Sequence, residues 1–396
     1  MSGLELVFLS LGFLYVIVFG WLYVGVVRSQ RATAKSTVPA VRIGDLPSVS
    51  VVVAARDEEA LIADCLRALL EQRYEGDLQV VVVDDRSSDR TGDIISLMAN
   101  EHPQLKLVKA ASALRFKCPK KSALAQGIEA SSGELLLLTD ADCAPPPDWV
   151  AATVARFAVP ETGVVAGYAR PRQPQTLREG LLALDNATIG ALSAGSIGMG
   201  SPLACTGRNL AYRRRVYEET GGFEAIGHLV GGDDVYFVRH VAAVTSWQIV
   251  YNCCQAIVEC ATDPVGISAV INQKLRHASK AGHYTGAARF VGAVAYVFHA
   301  LLLVAVSQLL LQAANWSGSL CCYSCLQLTL NAAILVWGAK IGVDLTVVWR
   351  FLRPGAERSL LWYLPLLEIV YIPYVLLFVP LGGMGWFRWK AGGPDE

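Results

Sequence analysis

Leu78-Gln-Val-Val-Val-Val83 runs directly into Asp84-Asp85-Arg-Ser87-Ser-Asp89, and Glu134-Leu-Leu-Leu-Leu138 runs into Thr139-Asp140-Ala141-Asp142. Short runs this rich in Val and Leu read as strands buried on both faces, as in a parallel sheet, and ligands bind outside the carboxyl ends of such strands. Both acidic motifs therefore fall at a ligand crevice. Carboxylates gathered there repel one another, and a divalent cation shared with substrate phosphates relieves that repulsion. The two motifs read as a metal and nucleotide-diphosphate site.

Around this pair the alternation of elements continues. Residues 48–54 read as a strand and Glu58 to Gln72 has helical spacing, with the strand ending at Asp84 closing a βαβ unit. A helix from Asp89 to Asn100, a strand near Leu105 to Val108, a helix from Lys120 to Ala130 and the strand before Asp140 repeat the pattern. Right-handed crossovers then give an open α/β domain with a mostly parallel central sheet. A partly apolar helix is expected over Leu177 to Leu192, with turns at Gly221-Gly-Phe223 and Gly231-Gly-Asp233-Asp234. Residues 265–278 carry mixed faces and are expected as short helices along a membrane surface.

The chain has 396 residues, and its hydropathy divides it. Leu4 to Val27, Arg289 to Leu311, Leu320 to Val343 and Leu360 to Leu381 are each near the length that crosses a bilayer. These transmembrane α-helices, one N-terminal and about three C-terminal, give a multi-pass membrane protein with a retained anchor rather than a cleaved leader. The expected boundaries are an anchor over 1–28, a linker over 29–47 containing Pro39 and Pro47, a domain over 48–285 and a C-terminal membrane region over 286–396. Arg28, Arg31, Lys35 and Arg42 follow the first span, and Lys274, Arg276, Lys280 and Arg289 precede the second, so the intervening domain is expected in the cytoplasm. The C-terminal Trp386-Phe-Arg388-Trp-Lys390 looks like a cytoplasmic interface anchor, which makes the Pro-broken segment Leu360 to Leu381 a candidate re-entrant element. Formal net charge is zero, giving no argument for nucleic acid. The ten cysteines lack a metal spacing; Cys322-Tyr-Ser-Cys325 lies in an apolar span and reads as helix packing. Glu368, between Pro365 and Pro373, and His299 are the charged or titratable groups that stand out in the spans; the rest are read as lacking the paired intramembrane charges of a transport path.

Each candidate group has a chemical and a plain structural reading. Asp84 and Asp85 suit the N–H groups of a nucleobase or the hydroxyls of a ribose, against ordinary turn chemistry, and Ser88 or Asp89 could cap the following helix. Asp140 and Asp142, one residue apart, point the same way in extended backbone and suit a hard cation with diphosphate oxygens. Asp233 and Asp234, after two glycines, suit a general base, against a solvated turn. Arg276 in Gln273-Lys-Leu-Arg276-His277 could neutralise a departing diphosphate, against a basic residue that marks the lipid surface.

Taken in order, Ala54-Ala-Arg-Asp57-Glu58-Glu59, Asp84-Asp85-Arg-Ser87-Ser-Asp89, Lys120-Lys121-Ser-Ala-Leu124, Asp140-Ala-Asp142, Gly207-Arg208-Asn209-Leu-Ala-Tyr212, Gly232-Asp233-Asp234 and Gln273-Lys-Leu-Arg276 resemble the membrane-bound family 2 glycosyltransferases. The pattern is similar to that of bacterial relatives of ceramide glucosyltransferase and of hyaluronan and cellulose synthases. The resemblance implies a GT-A type nucleotide-sugar-binding domain and inversion at the anomeric carbon with Mg2+ or Mn2+. It implies that Asp84 and Asp85, with Asp57, Glu58, Lys121 and Asp140, hold the donor, a UDP-sugar such as UDP-glucose. Asp140 and Asp142 would serve the metal, and Asp234, with Asp233 as the alternative, would be the base. Gln273 and Arg276 would lie beside the acceptor and the leaving diphosphate, with Arg208, Asn209 and His277 toward the acceptor. His277 stands where the family has Trp, and Asp57 where Asn is common. A diphosphate beside His277 would favour its charged form, so it is expected to titrate near neutrality.

The implied activity is transfer of a sugar to a hydroxyl delivered from lipid, such as a glycerolipid, sphingolipid, polyprenyl or carotenoid alcohol, at the bacterial inner membrane. The alternatives are a processive polysaccharide synthase, disfavoured by His277 and by few spans, and a non-catalytic membrane scaffold or transporter component.

Overall fold

The computed structural model describes residues 3–35, 46–253, 256–261, 266–284, 286–314 and 320–386, with the side chains of 3–5, 35, 308–314 and 320–330 excepted. The chain divides into two compact units. One comprises residues 24–174 and 186–262, the other residues 1–23, 175–185 and 263–396.

The first unit is built on a sheet of order β3-β2-β1-β4-β8-β6-β9, from β1 (Val49–Ala55), β2 (Leu78–Asp84), β3 (Leu105–Lys109), β4 (Leu135–Asp140), β6 (Thr162–Gly167), β8 (Leu210–Arg213) and β9 (Gln248–Asn252). β3, β2, β1 and β4 run parallel, as do β6 and β9, while β8 is antiparallel to both of its neighbours. A small second sheet orders β5 (Cys143–Ala144), β10 (Val258–Cys260) and β7 (Ala169–Pro171). The helices α2 (Ile62–Leu70), α3 (Thr91–Glu101) and α4 (Pro119–Glu129) supply the crossovers between the first four strands. Val51, Val53, Val80, Val82, Leu135 and Leu137 are fully buried, with Leu66 and Leu69 of α2 in the same core. Each such side chain contributes about 1.5–3 kcal/mol by leaving water, which is why these unbroken apolar runs form central strands.

The register sets the site. Ala55 pairs with Asp84 on one side of β1, and Ala54 pairs with Asp140 on the other. The order β3-β2-β1-β4 reverses direction at β1, so both acidic motifs emerge at a topological switch point.

The remaining helices of the chain are α1 (Gly3–Lys35), α5 (Trp149–Val154), α6 (Leu177–Gly198), α7 (Arg214–Glu219), α8 (Val235–Val244), α9 (Ile267–Ser279), α10 (Gly286–Ala314), α11 (Leu320–Phe351) and α12 (Leu364–Gly383). Among the described residues, four helical stretches are long and apolar enough to cross a membrane: Leu6–Ala34, Gly286–Ser307, Asn331–Phe351 and Ala356–Gly383.

Several boundaries differ from expectation. α1 runs to Lys35, into the expected linker, because its polar end packs: a Cβ on Gly25 would lie 1.8 Å from the Gly195 carbonyl, and Ser29 donates to Ala194 O at 2.8 Å. α9 belongs with the long helices rather than with the sheet, since a Cβ on Gly382 of α12 would lie 2.6 Å from the Leu275 carbonyl, and Asp185 accepts from both Lys274 and Tyr371. The segment expected to be Pro-broken is a continuous helix that contains Pro373 and Pro380, preceded by a 3₁₀ turn over Ala356–Tyr363. The spans do hold paired charges: buried Lys340 pairs with Glu368 and, at 2.7 Å, with Asp344, which also accepts from Tyr15. Glu368 is thus packed and ion-paired, because an isolated carboxylate in such a helix bundle would be too costly to bury. His299 is buried too, its Nδ1 2.7 Å from Ala295 O. Pro39, the side chains of Cys322 and Cys325, and residues 387–390 lie outside the described residues.

Candidate active site

On the β2 side, the loop after Ala55 and the loop after Asp84 are laced together. Asp57 has φ +52°, a conformation few residues other than glycine adopt, and it is held there because its Oδ1 accepts from Ser88 N at 2.7 Å and Ser88 Oγ at 3.0 Å. Glu58 N donates to Thr91 Oγ1 at 2.8 Å, and Glu59 N donates to Asp89 Oδ2 at 3.0 Å. Asp89 Oδ1 accepts from Thr91 N at 2.9 Å, so this side chain ties the two loops, while the N-cap position of α3 is Arg90 and carries no side-chain cap bond. Asp84 is turned inward: Oδ1 accepts from Ser87 N at 3.1 Å, and a Cβ on Gly92 would come within 2.6 Å of Oδ2. Asp85 is buried and is engaged by the neighbouring Arg86 at 2.7 Å. Asp84 thus shapes the loop, and Asp85 is the carboxylate paired with a cation.

On the β4 side, three carboxylates converge on two cations, with Asp234 next to the third in sequence. Lys120 Nζ donates to Asp140 Oδ1 at 2.6 Å and lies 3.5 Å from Asp233 Oδ2. Arg208 reaches Asp142 Oδ2 at 3.3 Å and Asp140 Oδ2 at 3.6 Å. Asp234 caps α8, its Oδ1 accepting from Val235 N at 2.6 Å and its Oδ2 from Gly207 N at 3.3 Å. Gly232, at φ +68°, makes the turn before this pair, and a Cβ there would lie 2.2 Å from the Tyr236 ring. Burial alone would raise the Asp140 pKa, but Lys120 and Arg208 outweigh it and hold the carboxyl below its usual range. For Lys120, burial acts downward, and Asp140 and Asp233 reverse it, so the ammonium is held charged well above the ordinary lysine value.

The structure moves three assignments. Lys121, expected on the donor, is fully buried and donates to Ile226 O at 2.6 Å and Leu229 O at 2.9 Å, pinning a loop; Lys120 is the lysine on the carboxylates. The helical phase carries the reason, because Lys121 shares its face with Leu124, Ala125 and Ile128, all buried. Asn209, expected toward the acceptor, is 4% exposed and consumed by the core, accepting from Trp149 Nε1 at 3.0 Å and donating to Tyr168 O at 2.9 Å and Ala256 O at 2.6 Å. Arg208, also expected toward the acceptor, stands on Asp140 and Asp142. Gln273, Arg276 and His277 lie on α9, in the unit of the long helices. Desolvation, and then the cations of Lys280, Lys274 and Arg276, lower the His277 imidazole to about 3, below the near-neutral value expected from the sequence.

A divalent cation fits the donor set here. Asp140 and Asp142 present hard carboxylate oxygens one residue apart at the end of β4, the donor type a divalent cation takes. Among the described residues no group of three or more His, Cys, Asp or Glu side chains is arranged to hold a metal ion. A divalent ion held by one or two carboxylates and substrate phosphates does not need such a group.

Comparison with known proteins agrees with this architecture. Residues 50–221 match the model of glycosyl transferase family 2. The chain is similar to the probable glycosyltransferase YdaM of Bacillus subtilis, 30% identical over 230 residues that cover 56% of this chain and 54% of that protein. It is 35% identical over 123 residues to a beta-monoglucosyldiacylglycerol synthase of Trichormus variabilis, covering 31% of this chain and 26% of the relative. The chain thus spans about half the length of the first of these curated relatives and about a quarter of the second. Among solved structures, the mannosyltransferase PcManGT of Pyrobaculum calidifontis, in complex with GDP-Man and Mn2+, superposes with a TM-score of 0.57 at 23% identity, covering 93% of this chain and 98% of that one. That likeness is one of fold. The Asp84-Asp85 and Asp140-Ala-Asp142 motifs fall inside the matched segment, so residues 50–221 carry a glycosyl transferase family 2 domain, on a GT-A-like fold.

Proposed function

We propose that the protein transfers a sugar, with inversion, from a nucleotide-diphosphate donor, a UDP-sugar such as UDP-glucose, to the hydroxyl of a membrane lipid. The observation that carries the reading is Lys120, which joins Asp140 at 2.6 Å to Asp233 at 3.5 Å and so brings the diphosphate side and the residue next to the proposed base Asp234 into one charge network. Asp85 receives the polar edge of the nucleoside, with Asp57 and Glu58 holding the loop beside it. Asp140 and Asp142 would hold Mg2+ or Mn2+, which when bound supplies positive charge to the diphosphate. Lys120 and Arg208 add fixed positive charge where the leaving group gains negative charge. Asp234, half-buried at the start of α8, takes the proton of the acceptor hydroxyl as it attacks the anomeric carbon. Gln273 and Arg276 of α9, with His277, serve the acceptor side. Four apolar helices among the described residues and the similarity to a beta-monoglucosyldiacylglycerol synthase support a lipid acceptor and a multi-pass inner-membrane protein with its catalytic unit in the cytoplasm.

The test is to offer a panel of radiolabelled nucleotide sugars to membranes containing the protein, with Mg2+ or Mn2+, and to follow label into extractable lipid. One or a few sugars on a hydrophobic alcohol is the expected product. High-molecular-weight carbohydrate that resists lipid extraction would replace this reading with a processive synthase.

A further inference from the structure

Behind the carboxylates lies a pair of thiols that sugar transfer does not use. Cys143 of β5 and Cys260 of β10 sit directly opposite in antiparallel register, each 1% exposed, with sulfurs 3.3 Å apart. Both are free thiols. Directly opposed antiparallel residues have Cα atoms about 4.5–5.5 Å apart, within the roughly 4.4–6.8 Å that a disulfide spans, and each sulfur would move only about 0.6 Å to reach bonding distance. The pair is joined to Asp142 twice. The Cys143 thiol donates to Asp142 Oδ1 at 3.2 Å, and Ala261 N, next to Cys260, donates to the Asp142 carbonyl at 2.8 Å.

We infer that Cys143 and Cys260 are an oxidation site, a vicinal dithiol that closes to a disulfide and thereby removes a hydrogen bond from the Asp142 carboxylate. The effect on donor binding rests on the role given to Asp142 above; formation of the disulfide does not. The co-reactant is a hydroperoxide. One thiol loses its proton and attacks a peroxide oxygen, the O–O bond breaks, and a sulfenic acid and one water result. The second thiol attacks that sulfur, the S–S bond forms, the S–OH bond breaks and a second water leaves. Two thiols have then given up two electrons and two protons to one hydrogen peroxide, and an external dithiol reverses the change. Both thiols are 1% exposed, so the reaction waits on local opening of the short strands β5 and β10.

The experiment treats the full-length purified protein with hydrogen peroxide, alkylates the remaining thiols, maps linked peptides and titrates UDP with Mn2+ before and after. The expected result is a peptide pair linking Cys143 to Cys260, lighter by two hydrogens and reversed by dithiothreitol, with UDP binding about tenfold weaker in the oxidised form. Cys260→Ser, checked for an unchanged unfolding temperature, should form no link and keep its UDP affinity through the same treatment. No Cys143–Cys260 link at peroxide doses that fully oxidise glutathione would overturn the site, and a link with unchanged UDP affinity would overturn its coupling to Asp142. Failure of the reduced protein to bind UDP would count against the donor assignment alone, with the linked peptide still deciding the oxidation site.

Discussion

Lys120 donates to Asp140 across 2.6 Å, and that contact balances the charge on the β4 side of the site. Without it Asp140 would face Asp142 and the Asp233–Asp234 pair with Arg208 as its remaining named cation. The adjacent lysine plays a different part, since Lys121 is surrounded by the core and spends its donors on two backbone carbonyls.

These two lysines should therefore separate in mutants. Lys120→Met is expected to fold normally and to lose most sugar transfer, because the diphosphate side loses a fixed positive charge. Lys121→Met is expected to lower stability, by about 1–3 kcal/mol for each buried carbonyl left without a donor, with activity recovered in whatever fraction stays folded. Unfolding midpoints read beside specific activity of the folded fraction check both, and the reverse pattern would return the donor role to Lys121.

Sequence reading reached the strands and the acidic motifs because their signal is local: an apolar run followed by carboxylates fixes both the buried face and the strand end. It missed the division of labour between Lys120 and Lys121, although the apolar positions Leu124, Ala125 and Ile128 already placed Lys121 on the buried face. Asn209 was beyond it, since the groups that consume its amide come from Trp149, Tyr168 and Ala256, far apart in the chain. The buried partner of Glu368 was hidden for the same reason, with Lys340 on a different helix.

The Asp140–Lys120 contact also predicts a pH signature. Asp140 is held below its unfolded pKa of about 3.9, so its contribution to stability is present above that value and is lost as pH falls through the lower folded value. The stability difference between wild type and Lys120→Met should then be largest near neutrality and shrink as pH drops below about 4. Thermal unfolding of both proteins across that window measures it; a difference that grows on acidification would contradict the pairing.

Removal of the metal, or of either carboxylate assigned to it, is expected to stop turnover while leaving the fold intact. Asp140→Ala and Asp142→Ala should each lose Mn2+-dependent donor turnover, with circular dichroism unchanged. Wild-type transfer persisting in EDTA-treated protein would rule out the metal role.

His277 gives a handle on the acceptor. With the imidazole held neutral, transfer should show no inflection from this residue between pH 6 and 8. His277→Trp is expected to leave donor hydrolysis intact and to change which acceptor alcohols are used, measured by competing a panel of lipid alcohols. An equal loss of hydrolysis and transfer would place His277 on the donor side.

The base is the sharpest assignment within the site. Asp234 is half-buried, while Asp233 is 8% exposed and lies beside Lys120, so Asp234 is better placed to meet an incoming hydroxyl and Asp233 to hold the charge network. Asp234→Asn keeps the shape and one acceptor oxygen for the α8 cap but cannot take a proton. Its turnover should fall by about two to four orders of magnitude with donor binding preserved. Asp233→Asn should instead weaken donor binding, because Lys120 loses one of the two carboxylates that hold it. Single-turnover rates with donor in excess, paired with UDP titrations, distinguish the two effects. If Asp233→Asn shows the rate loss with intact binding, the proton goes to Asp233 and Asp234 is the cap of α8 alone.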